Sequence, residues 1–137
     1  MSRFGRRPLL GLGLLAATAA PSLARAGTVT GAALAATRRG ARLTLSVDAT
    51  QRWSIRPQAD PMRLAIHLPD ATWRGGATLR GAGPVRAARF VAADDLLLLD
   101  LAAAALPTAG PVRDGQVVID IAPVSAPRFE AAVRAGR

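Results

Sequence analysis

The sequence predicts an all-β fold, a small β-sandwich followed by a short C-terminal helix. Three observations predict it. Apolar and polar residues alternate in short runs, most cleanly in Arg42 to Ala49 and Arg63 to Leu68, and a period of two marks a half-buried strand. The runs recur at short intervals and are divided by Gly, Pro and Asp turns, the punctuation of a sandwich. Helical spacing with a capping residue occurs only after Ser125.

The first 26 residues stand apart from that fold. Arg3, Arg6 and Arg7 form a basic head, Leu9 to Ala20 an apolar run, and Ala24-Arg25-Ala26 a small-x-small cleavage signal. Together these are the parts of a secretory signal peptide, and the apolar run is shorter than the roughly 18–20 residues that span a bilayer. Arg6-Arg7 is compatible with the twin-arginine route, and general secretion fits equally. Three segments are expected: a signal peptide over 1–26, a β domain over 27–124, and a short helix or the start of a linker over 125–137. A periplasmic location follows, with no membrane span after cleavage.

Composition narrows the chemistry. The 137-residue chain has 18 basic residues, all arginine, against 9 acids, and it has no Cys. Disulfides, thiolate metal sites and Cys nucleophiles are therefore excluded. Without the four leader arginines the excess falls to 14 against 9, a net +5. The polyanions open to such a basic balance in an exported chain are cell-wall polymers and lipid head groups rather than nucleic acid, and a solvated arginine surface with no polyanion partner is the other reading.

Taken in order, Thr28 to Ala36 reads as a first strand with Gly31 as a bulge, and Thr37-Arg38-Arg39-Gly40 as a hairpin turn. Arg42 to Ala49 places Leu43, Leu45 and Val47 inward. Gln51 to Arg56, with Trp53 and Ile55 on one side, is a short strand. Asp60-Pro61 is a turn, because Pro fixes its own φ and restricts its predecessor. Arg63 to Leu68 follows, with Leu64, Ile66 and Leu68 inward and Arg63, Ala65 and His67 outward, and Pro69 stops it. Trp73 to Pro84 is Gly-rich and reads as a loop between two halves. Val85 to Val91, Leu96 to Leu101 and Gln116 to Ala122 are strands, and the stretch between Leu101 and Pro107 reads as a strand end and loop. Ser125 caps a helix from Ala126 to Arg134 whose Phe129 and Val133, four apart, share one face.

The segments around Arg63–Leu68, Leu96–Leu101 and Gln116–Ala122 each open on an acidic turn, run through apolar residues and carry a polar residue near the end. They form an approximate internal repeat.

Catalytic chemistry finds little material. The chain has one His, His67, one Glu, Glu130, and no Cys, whereas an open zinc site takes three protein ligands. No Gly-rich loop sits between a strand and a helix, as a phosphate cradle requires. No cofactor is expected and no catalytic role for the chain alone. Binding remains. The candidates are outward Arg42, Arg63 and His67 on neighbouring strands, with Asp100 and Asp120 at matching positions of the later copies; an arginine fork suits carboxylates, which cell-wall peptide stems carry. Trp53 and Trp73 are readable as sugar-stacking residues or as packing residues.

V-T-G-A-x-L at the start, R-L-T-L-S-V-D, and A-D-P-M-R-L-A-I-H-L-P-D-A-T-W resemble the AMIN domain, the module that precedes the catalytic domain of periplasmic N-acetylmuramoyl-L-alanine amidases. G-P-V-R-A-A-R-F, L-L-L-L-D-L and V-V-I-D-I-A-P-V-S resemble its later parts in order. The resemblance implies a sandwich of two similar antiparallel halves. It also implies a non-catalytic role: contacting peptidoglycan or division-site envelope components, and so localising a cell-wall amidase. The family's arginine-led strand falls on Arg63 to Leu68, with His67 where Asp is usual. Asp100 and Asp120 keep the family's Asp, but Leu96 or Leu97 and Gln116 stand where its arginine leads. The alternative reading is the N-terminal fragment of a zinc-dependent amidase, whose zinc ligands and catalytic Glu have no counterpart in this sequence. AMIN-like modules of outer-membrane secretins supply a third, weaker parallel.

Overall fold

Two arginine-led strands, each buried on one side, set the architecture. The structure, a computed structural model, describes residues 27–48, 51–110 and 113–136. The basic head, apolar run and cleavage signal lie outside the described residues.

Ten strands and one helix follow in chain order: β1 (Thr28–Thr37), β2 (Gly40–Val47), β3 (Ser54–Gln58), β4 (Arg63–His67), β5 (Thr72–Trp73), β6 (Thr78–Ala82), β7 (Val85–Val91), β8 (Leu96–Leu101), β9 (Ala105–Ala109), β10 (Gln116–Pro123) and α1 (Ala126–Ala135). They form two five-stranded sheets, β5-β1-β2-β10-β9 and β3-β4-β8-β7-β6. All the pairings between these strands are antiparallel except the short parallel contact of β5 with β1. The chain is an all-β sandwich with a short C-terminal helix.

Alternation explains which side of each sheet is dry. Leu43, Leu45, Val117, Ile119 and Ile121 of the first sheet meet Leu64, Ile66, Leu97, Leu99 and Leu101 of the second in one buried cluster. Full burial of each such side chain stabilises the fold by about 1.5–3 kcal/mol relative to exposure.

The two sheets repeat one plan. Each has two hairpins whose second strands pair at the centre: β1-β2 with β9-β10, and β3-β4 with β7-β8. The central registers agree position by position. Arg42, Leu43 and Leu45 face Asp120, Ile119 and Val117; Arg63, Leu64 and Ile66 face Asp100, Leu99 and Leu97. The structural counterpart of β4 is therefore β2, and β8 corresponds to β10. This corrects the three-copy repeat drawn from sequence. β8 and β10 have no leading arginine of their own because they run antiparallel to the strands that supply it.

Turns follow local chemistry. Asp60, Asp70, Asp95 and Asp114 all take positive φ, a conformation that a short polar side chain tolerates better than a bulky one. The register of β1 shifts between Val29 and Gly31, the bulge expected from that glycine. Two expectations fail. The Gly-rich stretch from Trp73 to Pro84 is not a single loop, because it starts on the last residue of β5 and contains β6. The segment from Ala105 is an edge strand, β9, rather than loop. β5 has two residues and β9 is built of Ala, Leu, Pro and Thr, so neither shows strong alternation. Pro107 in β9 and Pro57 in β3 sit on edge strands, where a missing N–H costs no ladder bond.

Two side-chain arrangements close the sandwich. Trp73 and Phe90 stack with ring centroids 4.6 Å apart and planes 3° apart, and Trp73 Nε1–H donates to Gly76 O at 2.6 Å. Trp53 also packs against the core, so the indoles act in packing. Gln51, only 5% exposed, donates Nε2–H to Arg52 O at 2.7 Å and to Pro69 O at 3.2 Å, tying the entry of β3 to the turn after β4.

The helix belongs to the same core. Ser125 Oγ accepts from the Arg128 N–H at 3.3 Å, Pro127 lies in the first turn, and Phe129 and Val133 are buried. Phe129→Ala is expected to cost about 3–5 kcal/mol, read as a lower urea midpoint. Exposed Glu130→Ala should change stability by less than about 0.5 kcal/mol. Equal midpoints for the two variants would mean that α1 does not seal the core.

Candidate binding surfaces

On the outer face of the first sheet, the pleat of β2 turns Arg42 outward and that of β10 turns Asp120 toward it. Arg42 Nε–H donates to Asp120 Oδ1 at 2.8 Å, and both side chains are about half exposed, 53% and 52%. This hydrogen bond, aided by the carboxylate's charge, pushes the Arg42 guanidinium above its ordinary value. The β1–β2 hairpin overhangs the pair. Thr37, Arg38, Arg39, Arg42, Thr108 and Asp120 line an open depression of about 460 Å³. Three arginines thus line one depression with a single carboxylate, which Arg42 already engages. Arg38 and Arg39 belong to neither the Arg42–Asp120 nor the Arg63–Asp100 ion pair, an arrangement suited to a further anion.

The second sheet carries the counterpart pair in a different state. Arg63 Nε lies 3.8 Å from Asp100 Oδ1, and the side chains are only 22% and 27% exposed. Arg63 Nε is buried without a hydrogen-bond partner among the described residues. The contact is thus an ion pair by charge and not by hydrogen bonding. His67 stands at the far end of β4, exposed, in a smaller hollow of about 190 Å³ with Ser54, Arg56, Gln58 and Leu96.

The five sequence candidates therefore do not form one face. Arg42 and Asp120 are together, Arg63 and Asp100 are together, and His67 is apart from both pairs. Arg42 and Arg63 are not on neighbouring strands, as expected from sequence, but on different sheets. Outward faces of the two layers of a sandwich point in opposite directions, so one ligand surface cannot use both arginines.

Sequence reading missed Thr108, because β9 was not recognised. It treated Arg38 and Arg39 only as turn residues; their doubled charge beside a predicted hairpin was the available signal. Among the described residues no group of three or more His, Cys, Asp or Glu side chains is placed to hold a metal ion, and no helix is long and apolar enough to cross a membrane.

No protein-family model, curated protein or solved structure matches the chain.

Proposed function

We propose that this chain is an exported, non-catalytic AMIN-type module that binds peptidoglycan in the periplasm, either localising a cell-wall amidase or acting alone. The observation that carries the reading is the open depression at the β1–β2 hairpin, with Arg38, Arg39 and Arg42 around the Asp120 carboxylate. Its mixture of guanidinium forks, a carboxylate and two threonine hydroxyls suits the carboxylates and amides of wall peptide stems. The sandwich of two similar antiparallel halves is the fold that the AMIN resemblance implies, and the sequence features of a secretory leader support a location beside the wall.

Among the described residues the core lies between Val29 and Val133, so Gly27–Arg137 carries that core. That polypeptide should pellet with isolated sacculi. Arg38→Gln with Arg39→Gln and Arg42→Gln is expected to weaken binding about tenfold or more, the scale of losing charge-assisted hydrogen bonds. Arg63→Gln, on the opposite sheet, should have a much smaller effect. No pelleting above a control protein at moderate salt would refute the proposal.

A further inference from the structure

The outer face of the second sheet has a use that the hairpin depression does not absorb. Its side chains fall in two cross-strand rows. One row runs Arg56, Ala65, Leu98, Arg89, Thr78, and the next runs Gln58, Arg63, Asp100, Ala87, Arg80. Strands lie about 4.8 Å apart and alternate residues about 6.7 Å apart. Four arginines therefore occupy a patch of roughly 19 by 7 Å, and exposed Arg86 adds a fifth beside the β7 bulge. The two rows contain one carboxylate, Asp100, which faces Arg63. Asp60 and Asp94 lie outside these rows, near opposite ends of the strands. Arg56, Arg80, Arg86 and Arg89 are exposed and take part in neither ion pair. The first sheet differs: the one arginine on its outer-facing strand positions, Arg42, is bound to Asp120.

The patch has an apolar floor. Ala65 and Leu98 point outward, yet they are only 5% and 6% exposed. The long side chains beside them on that face include Arg56, Arg63 and Arg89, and an arginine stem can cover apolar surface while its head stays in water. The two rows spread the arginines over the sheet face, and two open hollows border it along β3, one of about 190 Å³ near His67 and one of about 310 Å³ where Arg56, Gln58 and Asp60 meet Val133 and Gly136. A groove suits a single polymer strand, whereas a plane of forks suits a plane of phosphates.

We infer that this face docks on the surface of an anionic phospholipid bilayer. The binding is peripheral and electrostatic, each arginine engages lipid phosphate, and the opposite face stays free for the wall.

The test uses Gly27–Arg137 and sedimentation with vesicles of phosphatidylcholine, with or without about 30 mol % phosphatidylglycerol. Binding is expected only to the anionic vesicles, and it should weaken as salt rises. The triple variant Arg56→Gln, Arg80→Gln and Arg89→Gln keeps the covering stems and removes the charge. It should bind about 100-fold more weakly, at about fivefold per arginine. The corresponding lysine triple should retain binding and shows that the face still folds. A control with equal charge loss, Arg74→Gln, Arg113→Gln and Arg128→Gln, should lose less than about tenfold, since none of these stands in the two rows. Equal losses in both glutamine triples would overturn the proposal in favour of net charge alone. So would no binding to anionic vesicles. Loss of sacculus pelleting with vesicle binding unchanged would assign the face to wall polymer and overturn it as well. Failure of the hairpin variants on sacculi bears only on the wall reading, because the two surfaces lie on opposite sheets.

Discussion

Leu99→Ala is expected to lower the unfolding free energy by about 2–5 kcal/mol. Ile119→Ala, its counterpart in the other sheet, should cost nearly as much. Both side chains are fully buried. Leu99 lies between Leu64 and Ala88, and Ile119 between Leu43 and Ala109. Each therefore has an alanine on one side that cannot reach into the space left behind, so the cavity would remain largely open. A domain of this size has about 5–15 kcal/mol in total, and the double variant should lose most of that margin. Urea titrations of the singles should show one transition with an unchanged slope, because the two sheets share a single core. Two separate transitions in either variant, or a cost below about 1 kcal/mol for one of them, would mean that the halves are not one cooperative unit.

That equivalence was only partly legible in the sequence. β2 and β4 were readable because each alternates between a dry and a wet side, and β8 and β10 because each is a short apolar run opened by an acidic turn. The pairing among them was not, since Arg42 and Asp120 are 78 residues apart and nothing local links them. Three apolar strands with similar endings looked like three copies of one unit. In space, two of them are the antiparallel partners of arginine-led strands, and β2 was the missing member. β5, β6 and β9 were hidden for a different reason. β5, with two residues, is too short to show a period, while β6 and β9 are held extended by tertiary neighbours although their Gly, Ala and Pro content argues against strand. The C-terminal helix was readable to its buried residues, because a cap and an i, i+4 apolar pair are local signals. The site was less legible than the fold. Outward residues could be named, but which of the two outer faces each one joins depends on the sheet order.

Gly83→Ala is expected to destabilise the protein by about 2 kcal/mol or more. Gly83 forms the β6–β7 turn with φ at +54°, a region that costs an L-residue about 1–2 kcal/mol. Pro84 follows, and its ring crowds any β-carbon on the residue before it. A β-carbon at Gly83 would also overlap the carbonyl oxygen of Gly40 at the start of β2. That neighbour is backbone and cannot swing aside. Gly40 has no room either, since a β-carbon there would meet the Ile121 carbonyl. The sheets thus approach backbone to backbone at this corner, and the substitution must push them apart. Gly110→Ala is the matched control: its nearest atom, Val118 O, lies 3.8 Å from the added carbon, so it should stay within about 0.5 kcal/mol of the parent. Similar melting temperatures for the two variants would show that the Gly40–Gly83 approach does not hold the sheets. A functional consequence also follows. Gly40 ends the hairpin that carries Arg38 and Arg39, so moving it displaces the lining of the cationic depression. Gly83→Ala should therefore pellet less with sacculi even at temperatures where it remains folded, and unchanged pelleting there would detach the hairpin's geometry from binding.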